Sequence, residues 1–199
     1  MTTANEGEES GTIAAESALP PVTLEDLPPR LRAAVARAGW PELMPVQAQS
    51  IPYLLAGRDL MVQSRTGSGK TGAFLLPILD RVQTRQATCQ ALVLAPTREL
   101  AKQVGEQAQI VGADAGMRTA VVYGGTAYGP QLRAFREGAE LVVGTRGGVR
   151  DHLLKRNLSL HDVQLLVFDE ADRMLSMGFY PDMRAIRRYL PSRPVQGCM

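Results

Sequence analysis

Cysteine, histidine and aromatic residues are scarce in this 199-residue chain, which has two Cys, two His, one Trp, five Tyr and four Phe. Cys89 and Cys198 stand far apart and show no paired spacing, which argues against a cysteine-built metal centre or a redox pair. Each is predicted to be a small core residue. No apolar run is long enough to span a membrane. We therefore expect no membrane partner and a reducing, cytoplasmic location.

Basic residues are absent from the first 26 residues, which carry six acidic side chains and few bulky ones. This composition predicts a disordered acidic tail over residues 1–21, without the basic and apolar regions of a secretory signal. The remainder holds all 22 basic residues but only the other 14 of the 20 acidic ones, a balance of +8. Such a basic domain suits a polyanionic partner, but a solvated surface rich in arginine explains the charge equally well.

Short apolar runs alternate with helical stretches along residues 22–199, which we interpret as one domain. The runs, predicted as strands, are DLMVQ, ALVLA, TAVVY, ELVVG and QLLVF, and the stretches between them include RELAKQVGEQAQIV, GPQLRAFREG and PDMRAIRRYL. Helices are also predicted ahead of the first run, over PPRLRAAVARAGW and PVQAQSIPYLLAG. Near-continuous apolar strands separated by helices favour an α/β fold with a mostly parallel β-sheet and helices on both faces. In such sheets ligands bind at the carboxyl ends of the strands.

A glycine-rich stretch, SRTGSGKT at residues 64–71, follows the run DLMVQ and precedes a predicted helix. It matches G-x-x-x-x-G-K-[ST] from the second glycine, Gly69, with Ser64 in place of the first. The backbone amides of such a loop and of the helix N-terminus converge on phosphate. Lys70 is placed to reach the β and γ phosphates, and the Thr71 hydroxyl to hold Mg²⁺. The predicted nucleotide-binding residues of this loop are Ser64, Arg65, Thr66, Gly67, Ser68, Gly69, Lys70 and Thr71.

Four residues with the sequence DEAD, 169–172, follow the run QLLVF. A carboxylate at a strand end, in a chain with a phosphate loop at another, is typical of a Mg²⁺-nucleotide site. Asp169 is predicted to hold the metal, partly through water, and Glu170 to orient or deprotonate the attacking water. Together with Lys70 they are the candidate catalytic residues. The alternative is that these carboxylates only cap the next helix.

These motifs together resemble the DEAD-box RNA helicases. The resemblance rests on SRTGSGKT, APTREL at 95–100, YGGT at 123–126 and DEAD at 169–172, in this order. The stretch GWPELMPVQAQSIPYLLAGRDL is similar to the adenine-reading Q motif of that family. The resemblance covers residues 22–199 and implies a RecA-like P-loop domain. With a second such domain, it would grip ATP and single-stranded RNA.

The resemblance also implies roles for single residues. Gln47 would meet adenine through its side-chain amide, which offers both a donor and an acceptor, although a plain helix-surface glutamine is the alternative. Asp172 would couple this domain to the second one. The residues implied to contact RNA phosphates and sugars, without regard to sequence, are Thr97, Arg98, Gly125, Thr145 and Arg146.

Three departures from the family pattern stand out. No aromatic residue precedes the Q motif to pack on adenine. In VVGTRGGVRDHL, residues 142–153, Arg146, Gly148 and Arg150 replace a proline, an arginine and an apolar residue. We therefore expect a damaged RNA-contacting loop, whose repair to the family residues raises RNA affinity and stability. The chain stops before the family's Ser-Ala-Thr motif and second domain, so alone it is expected to be nearly inactive.

The sequence thus predicts the amino-terminal ATP-binding domain of an ATP-dependent RNA helicase. ATP hydrolysis would be coupled to RNA binding and local duplex unwinding, with ATP and Mg²⁺ as cofactors. The expected partners are RNA, bound independently of its sequence, and a second RecA-like domain. Two alternatives stay open at this point: a non-catalytic, nucleotide-dependent RNA clamp, and another class of P-loop ATPase.

Overall fold

The computed structural model of the chain describes residues 18–84 and 86–199, and the predicted acidic tail lies largely outside them. The helices are α1 (Pro29–Arg37), α2 (Pro45–Leu55), α3 (Lys70–Arg81), α4 (Arg98–Gly112), α5 (Tyr128–Arg136), α6 (Arg146–Leu154), α7 (Ala171–Ser176) and α8 (Tyr180–Arg187). The strands are β1 (Ala91–Ala95), β2 (Thr119–Val122), β3 (Leu141–Thr145), β4 (Leu165–Phe168) and β5 (Gln196–Cys198). None of the helices in this part of the chain is both long and apolar enough to cross a bilayer.

All five strands pair in parallel, in the order β2-β3-β1-β4-β5. Their carboxyl ends therefore lie at one edge of the sheet, where the connections that leave the neighbouring strands β1 and β4 run in opposite directions, toward β2 and toward β5. Loops at the carboxyl edge of such a switch point form the usual ligand crevice of α/β sheets. This confirms the predicted fold class, an α/β domain with a parallel sheet.

Two hydrophobic cores cover the two faces of the sheet. Alternate residues of β1 point to opposite sides, with Val93 in the core beneath α1 to α4 and Leu92 and Leu94 in the core shared with α6, α7 and α8. The central strands β1 and β3 are buried along almost their whole length. These continuous apolar runs are therefore buried on both faces, as the sequence predicted. Cys89 and Cys198 are buried and free, as expected of small core residues.

The prediction that DLMVQ forms a buried strand is wrong. This segment makes one isolated bridge, between Leu60 and Cys198, and the Met61 side chain is 77% exposed. The amides of Leu60 and Val62 donate to the carbonyls of Gly197 and Met199, so the segment runs along the outer edge of β5. Because β5 is only three residues long, the DLMVQ segment cannot form enough hydrogen bonds with it to make a regular strand.

A buried carboxylate ties the amino ends of the sheet together. Glu140 is fully buried just ahead of β3, where it forms an ion pair with the Arg118 guanidinium and accepts a 2.8 Å hydrogen bond from the Arg118 amide. A buried charge is tolerated when it is paired and hydrogen-bonded in this way. The pair lies at the end of the sheet opposite the ligand crevice, so we interpret it as structural.

Candidate functional site

The phosphate loop lies at the carboxyl edge of the sheet, and α3 begins at Lys70 directly after it. The Lys70 ammonium folds back over the loop and donates to the carbonyls of Ser64 at 2.6 Å and Arg65 at 2.9 Å. Within the described residues the Ser68 hydroxyl is buried without a hydrogen-bond partner. A buried hydroxyl without a partner costs free energy unless a ligand satisfies it, so the loop is suited to bind an anion.

The two carboxylates at the end of β4 face the same space as Lys70. The Asp169 amide donates to the Leu94 carbonyl at 2.9 Å, which fixes the residue at the end of the sheet. Burial raises the pKa of Asp169 to about 6, the negative charge of Glu170 adds to this rise, and Lys70 opposes it. Lys70, Asp169 and Glu170 line one cavity of about 600 Å³, together with Thr66 and Asp172. The structure thus brings the candidate catalytic residues together.

The Glu170 backbone is in the left-handed region, with φ of 52°. A non-glycine residue in this region costs roughly 1–2 kcal/mol, so surrounding contacts must hold it there. Glu170 precedes α7, and its carboxylate accepts from the Arg173 guanidinium at 3.1 Å. Without a side-chain cap bond from Glu170, a purely helix-capping role does not explain this geometry. Asp172 is exposed in the first turn of α7.

Gln47 is buried beside the phosphate loop, not exposed on a helix surface as the alternative had it. Its Oε1 accepts from the Met44 amide at 2.9 Å, and its Nε2 donates to the Gly69 carbonyl at 3.1 Å. The Trp40 ring packs against the same region, because a Cβ added to Gly72 would lie 2.6 Å from it. Gln47 therefore joins the start of α2 to the end of the phosphate loop.

Few protein groups in this cavity could offer oxygen ligands to Mg²⁺. The described residues contain no group of three His, Cys, Asp or Glu side chains that could hold a metal ion by themselves. Of the two predicted ligands, Asp169 lines the cavity, whereas Thr71 lies at the start of α3 and is not among the lining residues. Mg²⁺ in nucleotide sites is held by one or two protein oxygen ligands plus phosphate and water, so the Asp169 carboxylate fits that role.

The loops after β1, β2 and β3 form the other half of the carboxyl edge. Thr97 and Thr145 are the N-cap residues of α4 and α6, and their hydroxyls accept from the amides of Leu100 at 3.2 Å and Gly148 at 3.4 Å. Arg98 lies against Gly125, whose backbone has φ of +75°: an added Cβ would come within 2.6 Å of the guanidinium. The structure therefore brings Thr97, Arg98, Gly125 and Thr145 to one edge.

The segment around Arg146 is helical, not the damaged loop that its sequence suggested. Arg146 starts α6, forms an ion pair with Asp182 and lies over the Phe179 ring, 3.7 Å from its centroid. Arg150 is half exposed and reaches the same carboxylate at 3.4 Å. The arginines that depart from the family pattern thus have partners on α8, and Arg150 brings no buried charge.

Gly148 packs directly on the backbone of the neighbouring loop. A Cβ at this position would lie 2.6 Å from the Cα and 2.8 Å from the amide nitrogen of Tyr123. Real Cβ atoms do not approach backbone so closely, so any side chain here must displace α6. Introducing the family arginine at residue 148 is therefore expected to destabilise the domain, not to repair it.

Gly148→Ala is expected to lower the free energy of unfolding by about 2–3 kcal/mol, because the added methyl group overlaps the Tyr123 backbone. Gly147→Ala is the matched control, since no atom lies within 4 Å of its added Cβ. Alanine in a helix is favoured over glycine by roughly 0.5–1 kcal/mol, so the control should be neutral or stabilising. Urea unfolding measures both, and equal midpoints would contradict the close contact.

Asp169→Asn is expected to stabilise the metal-free chain at neutral pH by about 2–3 kcal/mol, because a pKa raised from 3.8 to about 6 means that the ionised carboxylate disfavours folding. The sign follows from the raised pKa: the folded state binds the proton more tightly. The gain should therefore shrink as the pH falls below about 6 and vanish below about 4.

Urea unfolding in the presence of a chelator measures the Asp169→Asn effect. Asp172→Asn is the control, since it removes the same charge from an exposed position in the same segment. A gain of equal size in both variants, or a gain that persists in acid, would show that burial of Asp169 is not its cause.

Several residues at these sites carry no sequence signal of their own. Arg173 pairs with Glu170, and His152 is buried beneath the loop that carries Gly125. The Arg173 contact is local to the start of α7, whereas the burial of His152 depends on how α5 and α6 pack, and neither residue type marks a site by itself. Trp40, whose ring lies against Gly72 of α3, stands within the stretch similar to the Q motif, but that likeness gave it no role.

A sequence model of the DEAD/DEAH box helicase family matches residues 44–199. The DEAD-box ATP-dependent RNA helicase CshA of Streptococcus pneumoniae is 45% identical over 161 residues, 81% of this chain and 31% of the relative. CshA of Bacillus anthracis is 44% identical over 157 residues, 79% of this chain and 30% of the relative. The chain thus spans about a third of the length of these curated relatives.

Solved structures agree with the sequence comparison. A DEAD box protein from Methanococcus jannaschii superposes with a TM-score of 0.80 and 33% identity, over 87% of this chain and 47% of that one. A hypothetical ATP-dependent RNA helicase from Sulfolobus tokodaii gives a TM-score of 0.77 and 33% identity, over 86% of this chain and 50% of that one.

Proposed function

Because the chain belongs to the DEAD/DEAH box helicase family, we propose that residues 22–199 are the amino-terminal RecA-like domain of a cytoplasmic ATP-dependent RNA helicase. ATP hydrolysis would be coupled to the gripping and local separation of RNA strands, together with a second RecA-like domain. The observation that carries the proposal is the meeting of Lys70, Asp169 and Glu170 around one cavity. Family membership also removes the alternative of another P-loop ATPase class.

The phosphate loop would hold the nucleotide. Amides of residues 64–69 and the start of α3 would donate to the phosphate oxygens, and the Lys70 ammonium would exchange the carbonyls of Ser64 and Arg65 for the β and γ phosphates. The Thr71 hydroxyl and the Asp169 carboxylate would hold Mg²⁺, which when bound neutralises charge on the phosphates. Nucleotide binding would therefore break the two hydrogen bonds between the Lys70 ammonium and the loop carbonyls.

Glu170 would orient the attacking water and accept its proton. Its left-handed backbone turns the residue at the end of β4, and Arg173 holds the carboxylate by a 3.1 Å bond. In-line phosphoryl transfer depends mostly on such positioning, since little covalent chemistry is left to the protein. Arg173 would thus restrict where the Glu170 carboxylate lies.

The adenine base would lie next to Gln47. Each end of this amide has one bond within the protein, which leaves one donor hydrogen and one acceptor lone pair. These are the two groups that an amide uses to recognise adenine. The Met44 side chain lies against the loop at Gly69 and is 40% exposed, so it would flank the base in place of the missing aromatic residue.

RNA would lie across the loops after β1, β2 and β3. Backbone amides, hydroxyl groups and the Arg98 guanidinium suit contacts to phosphates and sugars, which carry no sequence information. Arg146 would contribute only where a phosphate competes with Asp182 for its guanidinium. Asp172, at the mouth of the nucleotide cavity, would face the second domain.

A chimaera tests the proposed function: residues 22–199 replace the matching third of Streptococcus pneumoniae CshA, and ATP turnover is measured with and without single-stranded RNA. We expect turnover that RNA stimulates. Nucleotide-dependent RNA binding without turnover would instead support the non-catalytic clamp. Absence of both, in a chimaera shown to be folded by circular dichroism, would contradict the proposal.

A further inference from the structure

The loop after β2, residues 123–127 and here named the YGGT loop, presents Gly125 to the Arg98 guanidinium. The loop connects β2 to α5, and Gly125 adopts a left-handed conformation within it. Because the proposed RNA surface includes both Gly125 and Arg98, the shape of this loop decides where the guanidinium lies. What fixes that shape is a buried side chain that none of the quoted motifs contains.

Gln131 fixes both ends of the YGGT loop through one carboxamide. Its Oε1 lies 3.3 Å from the Tyr123 amide, and its Nε2 lies 3.5 Å from the Tyr123 carbonyl and 3.3 Å from the Ala127 carbonyl. The side chain is nearly fully buried. Since the backbone amide can only donate and the carbonyls can only accept, these contacts also fix which end of the carboxamide is oxygen.

The remaining lone pair of Gln131 Oε1 faces His152 of α6, whose Nε2 lies 3.1 Å away. An acceptor at this position requires a proton on Nε2. Nδ1 is then the acceptor for the Asn157 side-chain amide at 3.3 Å. Burial lowers the pKa of His152, which agrees with the neutral ring that this hydrogen bonding needs.

Aromatic rings hold the imidazole in place. The centroids of Tyr128 and Phe135, both on α5, lie 4.9 Å and 5.0 Å from that of His152. Lys155 covers the outside, where its ammonium donates to the Tyr128 hydroxyl at 2.7 Å and to Asp151. His152 is almost inaccessible in this packing. Its Nε2–H therefore has a fixed direction, toward Gln131.

We propose that Gln131 and His152 are positioning residues for RNA binding, which set the YGGT loop and through it the Arg98 guanidinium. The inference rests on the proposed RNA contact of that loop. His152 orients the Gln131 carboxamide, Gln131 closes the loop at Tyr123 and Ala127, and the loop places Gly125 against Arg98. Because α6 also starts at the proposed RNA contact Arg146, the pair keeps two RNA-facing segments in register.

Gln131→Leu should weaken the binding of a fluorescent oligouridylate to the chain about tenfold, measured by anisotropy at low salt. The matched control is Gln90→Leu. Gln90 is equally buried, and its carboxamide also closes a loop, at Gln83 and Gln86, but at the opposite end of the sheet. The control should lose similar stability and keep its RNA affinity, while both variants keep their affinity for Mg-ADP.

The two histidine variants separate positioning from packing. His152→Gln keeps a donor at the same number of bonds from Cα as Nε2, so it should retain RNA affinity and the ¹⁵N shifts of Gly124 and Gly125. His152→Leu keeps the apolar packing but loses the donor. It should shift those two signals and weaken RNA binding to the same extent as Gln131→Leu.

Each outcome of this series has one meaning. If the unmodified chain binds no oligouridylate at low salt, the proposed RNA surface fails. If it binds RNA, but Gln131→Leu or His152→Leu binds as tightly, the positioning role is wrong while the surface stands. An equal loss of affinity in Gln90→Leu, or no rescue in His152→Gln, would reduce the pair to a general contribution to stability and overturn the inference.

Discussion

Lys70→Ala is expected to weaken the affinity of the chain for Mg-ADP by roughly 100-fold or more. The Lys70 ammonium lies over the phosphate loop and donates to the carbonyls of Ser64 and Arg65. In the proposed complex it would donate to the phosphates instead. Its removal takes away a charge-assisted contact to the diphosphate, which the backbone amides and Mg²⁺ must then hold without it. Isothermal titration calorimetry with Mg-ADP measures the loss directly.

The control for Lys70→Ala is Lys102→Ala, which removes the same charge from an exposed position on α4, over the Tyr123 ring. Its affinity for Mg-ADP should equal that of the unmodified chain. The Lys70 variant should also melt within a few degrees of the parent, because the loop carbonyls that it frees are accessible to water. Equal heats of binding from the Lys70 variant and the parent would remove the phosphate site from the proposed function.

Glu170→Gln, introduced in the CshA chimaera, is expected to lower RNA-stimulated ATP hydrolysis by roughly 100-fold or more, with nucleotide affinity unchanged. Glutamine keeps the size of the side chain and an acceptor for Arg173, so the left-handed turn before α7 should remain. It cannot take a proton from water. The effect should therefore fall on the turnover number and spare the binding of nucleotide and RNA.

Glu106→Gln is the control for that experiment, since it neutralises an exposed glutamate in the middle of α4. Its turnover should match that of the parent chimaera. Single-turnover measurements, made with enzyme in excess over ATP, distinguish slow chemistry from slow product release. Wild-type turnover in Glu170→Gln would remove Glu170 from the mechanism, and a loss confined to nucleotide affinity would assign it to binding.

The sequence predicted the sheet and its ligand edge because both depend on local patterns. The runs at β1, β3 and β4 are apolar on both faces, and glycine-rich or acidic motifs follow particular runs. The segment at Arg146 to Leu154 was missed as a helix, since two consecutive glycines disfavour helix by intrinsic propensity. Packing overrides that propensity: Gly148 is needed where α6 touches Tyr123.

In the candidate site, too, residues in local motifs could be predicted and most of their partners could not. Lys70, Asp169 and Glu170 could be predicted because each stands in a motif with fixed spacing. Asp182 could not, because it meets Arg146 only where α8 contacts α6. Arg173 and Gln131 could not, because their contacts are local but neither residue type marks a site by itself. The DLMVQ segment failed for a related reason, as its partner strand is separated from it by more than 130 residues of chain and is very short.

The short edge ladder at Leu60 and Val62 has a thermodynamic consequence for the adjoining phosphate loop. Few hydrogen bonds and an exposed Met61 leave this stretch with a low free energy of local opening, well below that of β1. If nucleotide binding requires an ordered loop, part of the binding free energy offsets the entropic cost of ordering that loop. Substitutions in β5, which contact no phosphate, would change nucleotide affinity by altering how often this edge is open.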